Sequence, residues 1–90
     1  MSRSLRSFEH LALRELLISA RKSAGLTQAE VAHRLERPQS FVAKYEVGER
    51  RIDVVEFLRV TQALGQDPRE MFGRLIGSIE DNRRTSSRNS

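Results

Sequence analysis

The sequence predicts an all-α fold, a compact bundle of five helices. Three observations point there. Apolar residues recur at three- and four-residue spacing, strand-like alternation is absent, and helix start and stop signals follow one another at short intervals. The 90 residues suffice for one domain, near the lower end of what closes a core without staples. There is no Cys, which excludes disulfides, zinc–thiolate sites and thiol chemistry. No apolar run approaches the ~18 residues of a spanning helix and no signal peptide is visible, so a cytoplasmic protein with no membrane contact is expected.

The elements follow in order. Residues 1–7, rich in Ser and Arg, read as a flexible tail. From Phe8 to Ala24, apolar residues at Leu13, Leu16, Leu17, Ala20 and Ala24 form a helical stripe, closed by Gly25. Thr27 and Glu30 are spaced as a capping box, which opens a second helix ending near Leu35. Pro38 opens the first turn of a third helix that runs to about Val47 and stops at Gly48. Asp53 caps a fourth helix, ending at Leu64 before Gly65. Asp67-Pro68 starts a fifth, carrying Met71, Phe72, Leu75, Ile76 and Ile79. The folded domain is thus residues 8–80, and the basic stretch 81–90 reads as a second flexible tail. The link between helices 2 and 3 is a few residues around Glu36-Arg37. A turn that short makes the next helix cross steeply, as in a helix-turn-helix.

Gly25-Leu26-Thr27-Gln28-x-Glu30-x-Ala32 and Pro38-Gln39-Ser40-x-Val42-x-Lys44-Tyr45-Glu46-x-Gly48 carry a resemblance. The segment resembles the helix-turn-helix of phage repressor and Cro-type proteins, the XRE family, over about Leu13 to Phe72. The resemblance implies a repressor-like bundle and a sequence-specific regulator of transcription. That regulator would bind double-stranded DNA as a homodimer on a palindrome, with its third helix in the major groove. Packing agrees at several positions. Ala32 is small where helix 3 crosses helix 2, and Val42 and Tyr45 point inward toward Val31 and Leu35. Gly48 ends helix 3 where a Cβ would clash.

Base edges must be read by outward residues early on helix 3. Gln39, Ser40 and Lys44 meet that condition, and Ala43 suits a thymine methyl; by resemblance all four fall on base-reading positions. Phosphate contacts are expected from Arg37 in the turn and Arg50 and Arg51 in the following loop, which bracket the reading helix. Gln28 opens helix 2; by resemblance it binds phosphate and braces Gln39. Also by resemblance, Arg21 and Glu46 form a partly buried salt bridge that braces helix 3. Two positions depart from the family. Glu36 stands where a left-handed Gly is usual, and Pro38 replaces a Ser or Thr cap. Phe41, one residue off the core face, is expected under the Arg50-Arg51 loop.

Helices 1 and 5 hold more apolar surface than one core needs. Met71, Phe72, Leu75, Ile76 and Ile79 are the candidate dimer surface, with Phe8, Leu11 and Ile18 in support. An alternative reading is an antitoxin-like or adaptor module, with a protein partner engaged through this surface. Enzyme readings fail on inventory. His10 and His33 are 23 residues apart, and no nucleophile–base pair, paired acids or glycine-rich phosphate loop is present. No metal, cofactor or catalytic residue is expected.

Charge is the remaining signal. Sixteen Lys and Arg face twelve Asp and Glu, a net +4. Arg3 and Arg6 at one end and Arg83, Arg84 and Arg88 at the other supply five positive charges. Residues 7–82 therefore carry 11 basic and 12 acidic side chains and are −1. The local balance matters more: residues 34–51 hold five basic and three acidic residues. On the DNA-binding reading, the basic ends are expected to add a sequence-blind, salt-sensitive hold on the backbone.

Overall fold

In the computed structural model the backbone is described for residues 7–89 and the side chains for residues 7–84. Five helices make up this part: α1 (Phe8–Ser23), α2 (Gln28–Leu35), α3 (Gln39–Val47), α4 (Val54–Ala63) and α5 (Pro68–Asn89). Among the described residues no strand occurs, in agreement with the sequence. No described helix is long and apolar enough to cross a membrane.

Each start has a local cause. The Ser7 hydroxyl accepts the His10 amide and caps α1. Thr27 and Glu30 close a capping box at α2, and Asp53 and Glu56 close another at α4. Such boxes satisfy two orphan amides reciprocally. Pro38 is the N-cap of α3 rather than its first helical residue, and no side chain caps that end. The stops share one form. The amides of Leu26, Arg37, Glu49 and Gln66 donate back to Arg21, Ala32, Lys44 and Thr61 at 2.9–3.1 Å, which closes each chain reversal. Each closure needs a left-handed residue. Gly25, Gly48 and Gly65 supply it three times, and Glu36 the fourth, at φ 57°.

The core gathers one face of every helix. Leu17, Val31, Val42, Val60 and Met71 are essentially inaccessible, and Phe41, Tyr45, Phe57 and Leu64 pack with them. Three expectations are corrected here. Ala24 is exposed, and Ala12 takes a buried place earlier in α1. Met71, expected on a dimer surface, is fully buried. Its position in the first turn of α5 points it at the other helices, so it serves the monomer's core.

The third correction concerns the C-terminus. The break expected after residue 80 is absent, and α5 continues to Asn89. Extending a helix costs far less than nucleating one, and no Gly or Pro follows Gly77. Asp81 pairs with Arg84 one turn on, a spacing that supports a helix. Of the expected N-terminal tail, residues 1–6 lie outside the described part, and Ser7 is a cap.

Gly48 has two reasons to be glycine. Its φ is 89°, and an added Cβ would lie 3.1 Å from the Arg14 guanidinium. Glu36 has the conformation without the freedom. Gly48→Ala should therefore destabilise the fold by about 1–2 kcal/mol, whereas Glu36→Gly should stabilise it by up to about 1 kcal/mol. Urea denaturation of both variants measures the pair. Shifts in the same direction would show that left-handed closure is not the controlling factor.

Candidate nucleic-acid interface

The geometry of α3 is set from beneath by a single carboxylate. The Glu46 side chain is only 5% exposed. Its Oε2 accepts from Arg21 Nε at 2.7 Å, and its Oε1 accepts from Arg21 Nη2 at 3.1 Å and from Gln28 Nε2 at 2.8 Å. Arg21 also donates from Nη1 to the Leu26 carbonyl at 2.9 Å. The hydrogen bond to Glu46 raises the Arg21 pKa further above its ordinary range. Charge-assisted, two-point contacts of this kind fix orientation as well as distance. The Arg21–Glu46 bridge is therefore present as the resemblance implied. Gln28 differs: its amide braces Glu46, not Gln39.

Arg14 adds a second strut that the sequence did not reveal. Its Nη1 donates to the Glu46 carbonyl at 3.2 Å. Its Nε is the one buried side-chain polar atom without a partner among the described residues. Burial pushes the neighbouring Tyr45 phenol well above its ordinary pKa, so the ring stays neutral.

Held from below, α3 presents its other face outward. Gln39, Ser40 and Lys44 are exposed, and Ala43 is partly so. Val47, 62% exposed, extends the same stripe; Ser40, Ala43, Lys44 and Val47 follow helical three-four spacing. In the sequence Val47 signals only a helix terminus, which hides its place on this face. Phe41, Val42, Tyr45 and Glu46 face inward.

The flanking arginines are more tightly held than a phosphate contact requires. Arg50 donates from Nη1 and Nη2 to Glu56 Oε1 and Oε2 at 3.0 and 2.9 Å, and Nη1 also reaches the Arg51 carbonyl. Arg37 Nη1 lies 3.7 Å from Glu56 Oε2. Both guanidiniums sit against the Phe41 ring, Arg37 at 4.1 Å and Arg50 at 4.7 Å from its centroid. Phe41 thus packs under the loop at Arg50, as expected. The sequence marks Glu56 only as part of helix 4. Its spacing after Asp53 signals a cap but not the arginines it collects. The Arg50 hydrogen bonds, then the Asp53 amide, hold the Glu56 carboxyl below the usual carboxylate range.

A groove of about 610 Å³ opens between α4 and α5, lined in part by Val54, Phe57, Leu58, Phe72 and Leu75. Val54, Leu58 and Phe72 of this lining are exposed, as are Val55 on α4 and Ile76 on α5. Leu75 and Ile79 are half-buried. Phe72 stands edge-on to Phe57 at 6.1 Å. Among the described residues no group of three His, Asp or Glu side chains is placed to hold a metal ion.

Residues 12–72 match a family model described as a helix-turn-helix domain. An XRE-family-like protein from Pseudomonas syringae pv. tomato is 43% identical with a TM-score of 0.78, over 86% of this chain and 94% of its own. The chain belongs to the XRE family of helix-turn-helix DNA-binding proteins. Two further structures share the fold. The restriction-modification controller protein C.Esp1396I, solved as a tetramer with its natural 35 base-pair operator, is 19% identical with a TM-score of 0.74, over 81% of this chain and 96% of its own. The clp gene regulator ClgR from Corynebacterium glutamicum is 23% identical with a TM-score of 0.71, over 81% and 95%. No curated protein matches the chain.

Two outcomes test the supporting network of this XRE-family chain. Arg21→Ala leaves the Glu46 carboxylate desolvated and should cost about 3 kcal/mol, read as a large fall in melting temperature; an unchanged melt would dismiss the bridge as a brace. Glu56 has a depressed pKa, so its contribution is complete above the ordinary glutamate value and is lost as pH falls through its lower folded value. Glu56→Gln should therefore flatten the acid limb of stability between about pH 5 and pH 3.

Proposed function

We infer that this protein is a sequence-specific regulator of transcription that binds palindromic operator DNA as a homodimer, in the manner of a repressor. The observation that carries the reading is the outward face of α3. It is polar and basic at Gln39, Ser40 and Lys44, small or methyl-bearing at Ala43 and Val47, and locked from behind by Glu46. Gln39 offers the two-point pairing that adenine accepts, Lys44 donates to guanine or phosphate, and Ala43 and Val47 suit thymine methyls. Ser40 has a hydroxyl able to meet several base edges. Arg37, Arg50 and Arg51 flank this face and supply backbone contacts, with Gln28 at the start of α2 beside them. The controller protein solved on its operator supports a family member of this size working on duplex DNA.

One short helix-turn-helix domain has limited contact with DNA, and two-fold pairing doubles it. The surface for pairing is Phe72, Leu75, Ile76 and Ile79 on α5, with Val54, Val55 and Leu58 from α4 beside them. Met71 is excluded by its burial. The same apolar groove is the observation on which an adaptor reading would rest. The polar face of α3 favours DNA, since a protein-docking helix would be apolar there.

Selection of bound sites from random duplex DNA tests this reading: a two-fold symmetric consensus is expected. Gln39→Ala should change the preferred sequence, whereas Arg50→Ala should weaken binding to every sequence alike and shallow the salt slope by about one. Equal losses on selected and random DNA for Gln39→Ala would remove it from base reading. Ile76→Glu should leave the fold intact, yield a monomer in sedimentation, and weaken operator binding at least about tenfold. A monomeric wild type at micromolar concentration would reject the dimer.

A further inference from the structure

Glu56 stands on α4, yet its carboxylate is gripped by the two arginines that flank the reading helix. Arg50 holds both of its oxygens at 3.0 and 2.9 Å, and Arg37 approaches one of them to 3.7 Å. Both guanidiniums rest on one aromatic floor. Phe41 is only 6% exposed and is fixed edge-on against Tyr45 at 5.4 Å, so the floor belongs rigidly to α3. The arginine side chains remain 40% and 37% exposed, while Glu56 is 16% exposed. The anion therefore lies deeper and the cations stay open to solvent. Two oxygens held side by side by a guanidinium fork are the pattern that a phosphodiester's two non-bridging oxygens also offer.

We propose that Arg37 and Arg50, floored by Phe41, form an anion site for one DNA backbone phosphate, and that Glu56 fills it in the free protein as an internal stand-in which the phosphate displaces. This rests on the DNA-binding reading. It assigns Glu56 a role that residue type alone would deny to an acid beside DNA. The stand-in keeps the arginines ordered and lowers the local charge from two positive to one. It thereby trims the sequence-blind part of the affinity. Phe41 keeps both guanidiniums in place while the carboxylate gives way, because ring–cation attraction does not depend on Glu56.

The test is Glu56→Gln, which preserves the capping box because Gln also accepts the cap amide. Binding to random-sequence and selected duplexes is followed by fluorescence anisotropy at several salt concentrations, well below the melting temperature of either form. The variant should bind both duplexes about three- to tenfold more tightly, with a salt slope steeper by about one and an unchanged ranking of sequences. In an Arg37→Gln/Arg50→Gln background the same change should have less than about a twofold effect, since no anion site remains to be freed. If the folded Glu56→Gln variant binds random duplex no more tightly than wild type, the stand-in is overturned. A gain that persists without the arginines overturns it as well. A wild type that binds no duplex at low salt would instead overturn the DNA reading beneath it, and the stand-in with it.

Discussion

The buried carboxylate of Glu46 is the constraint on which the rest of this small protein depends. A charge this deep is tolerated only with partners. It recruits Arg21 from α1 and Gln28 from α2, and Arg21 in turn ties the Leu26 carbonyl of the loop between them. Three helices and one loop thus converge on one side chain of α3. Hydrophobic packing holds the helices together, but it is weakly directional. The fork of Arg21 against Glu46 supplies direction, and direction is what a helix presented to a DNA groove requires. Arg14, on the Glu46 carbonyl, restrains the end of α3 and crowds position 48, where a φ of 89° already favours glycine.

A second ionic centre, Glu56, mirrors the first on the surface. Glu46 is buried and its arginine is mostly buried; Glu56 is near the surface and its arginines are open to solvent. Screening makes exposed pairs weak and exchangeable, while the buried one is hard to break without loss of structure. One pair therefore suits permanent bracing and the other suits exchange with a ligand. Net charge agrees with this division. With residues 7–82 at −1, the body as a whole has little long-range attraction for a polyanion, so any such attraction must be local.

Much of the fold is legible in the sequence because its punctuation is local. Thr27 with Glu30, Asp53, Gly25, Gly48 and Gly65 act within a turn of their own positions, and the structure has them where spacing requires. Tertiary choices are less legible. Leu and Met stripes do not say which members close the monomer, so Met71 passes for surface and Ala12 escapes notice. The end of α5 is deceptive because a polar, basic composition resembles a tail, while helix propagation from a formed segment needs little further support. In the candidate site, the outward face of α3 follows from helical periodicity. The Glu56 cluster does not, because it joins the α2–α3 turn, the loop after α3 and α4 through side chains whose spacing carries no periodic signal. Gln28 bracing Glu46 instead of Gln39 has the same origin. An amide can turn to either neighbour, and the buried carboxylate offers the stronger acceptor.

Division of labour along α3 is consistent with the same fold recurring at 19% sequence identity. Neighbouring residues of this helix have opposite duties. Val42, Tyr45 and Glu46 are fixed by the core and by Arg21, whereas Ala43, Lys44 and Val47 lie on the face turned away from it. The inward set cannot change without a cavity or an orphaned charge. The outward set contributes little to the monomer's core, so it can vary at little thermodynamic consequence. Core-facing and solvent-facing duties are thereby separable within nine residues. The outward side chains of α3 are thus free to differ, while the architecture rests on the residues directly beneath them.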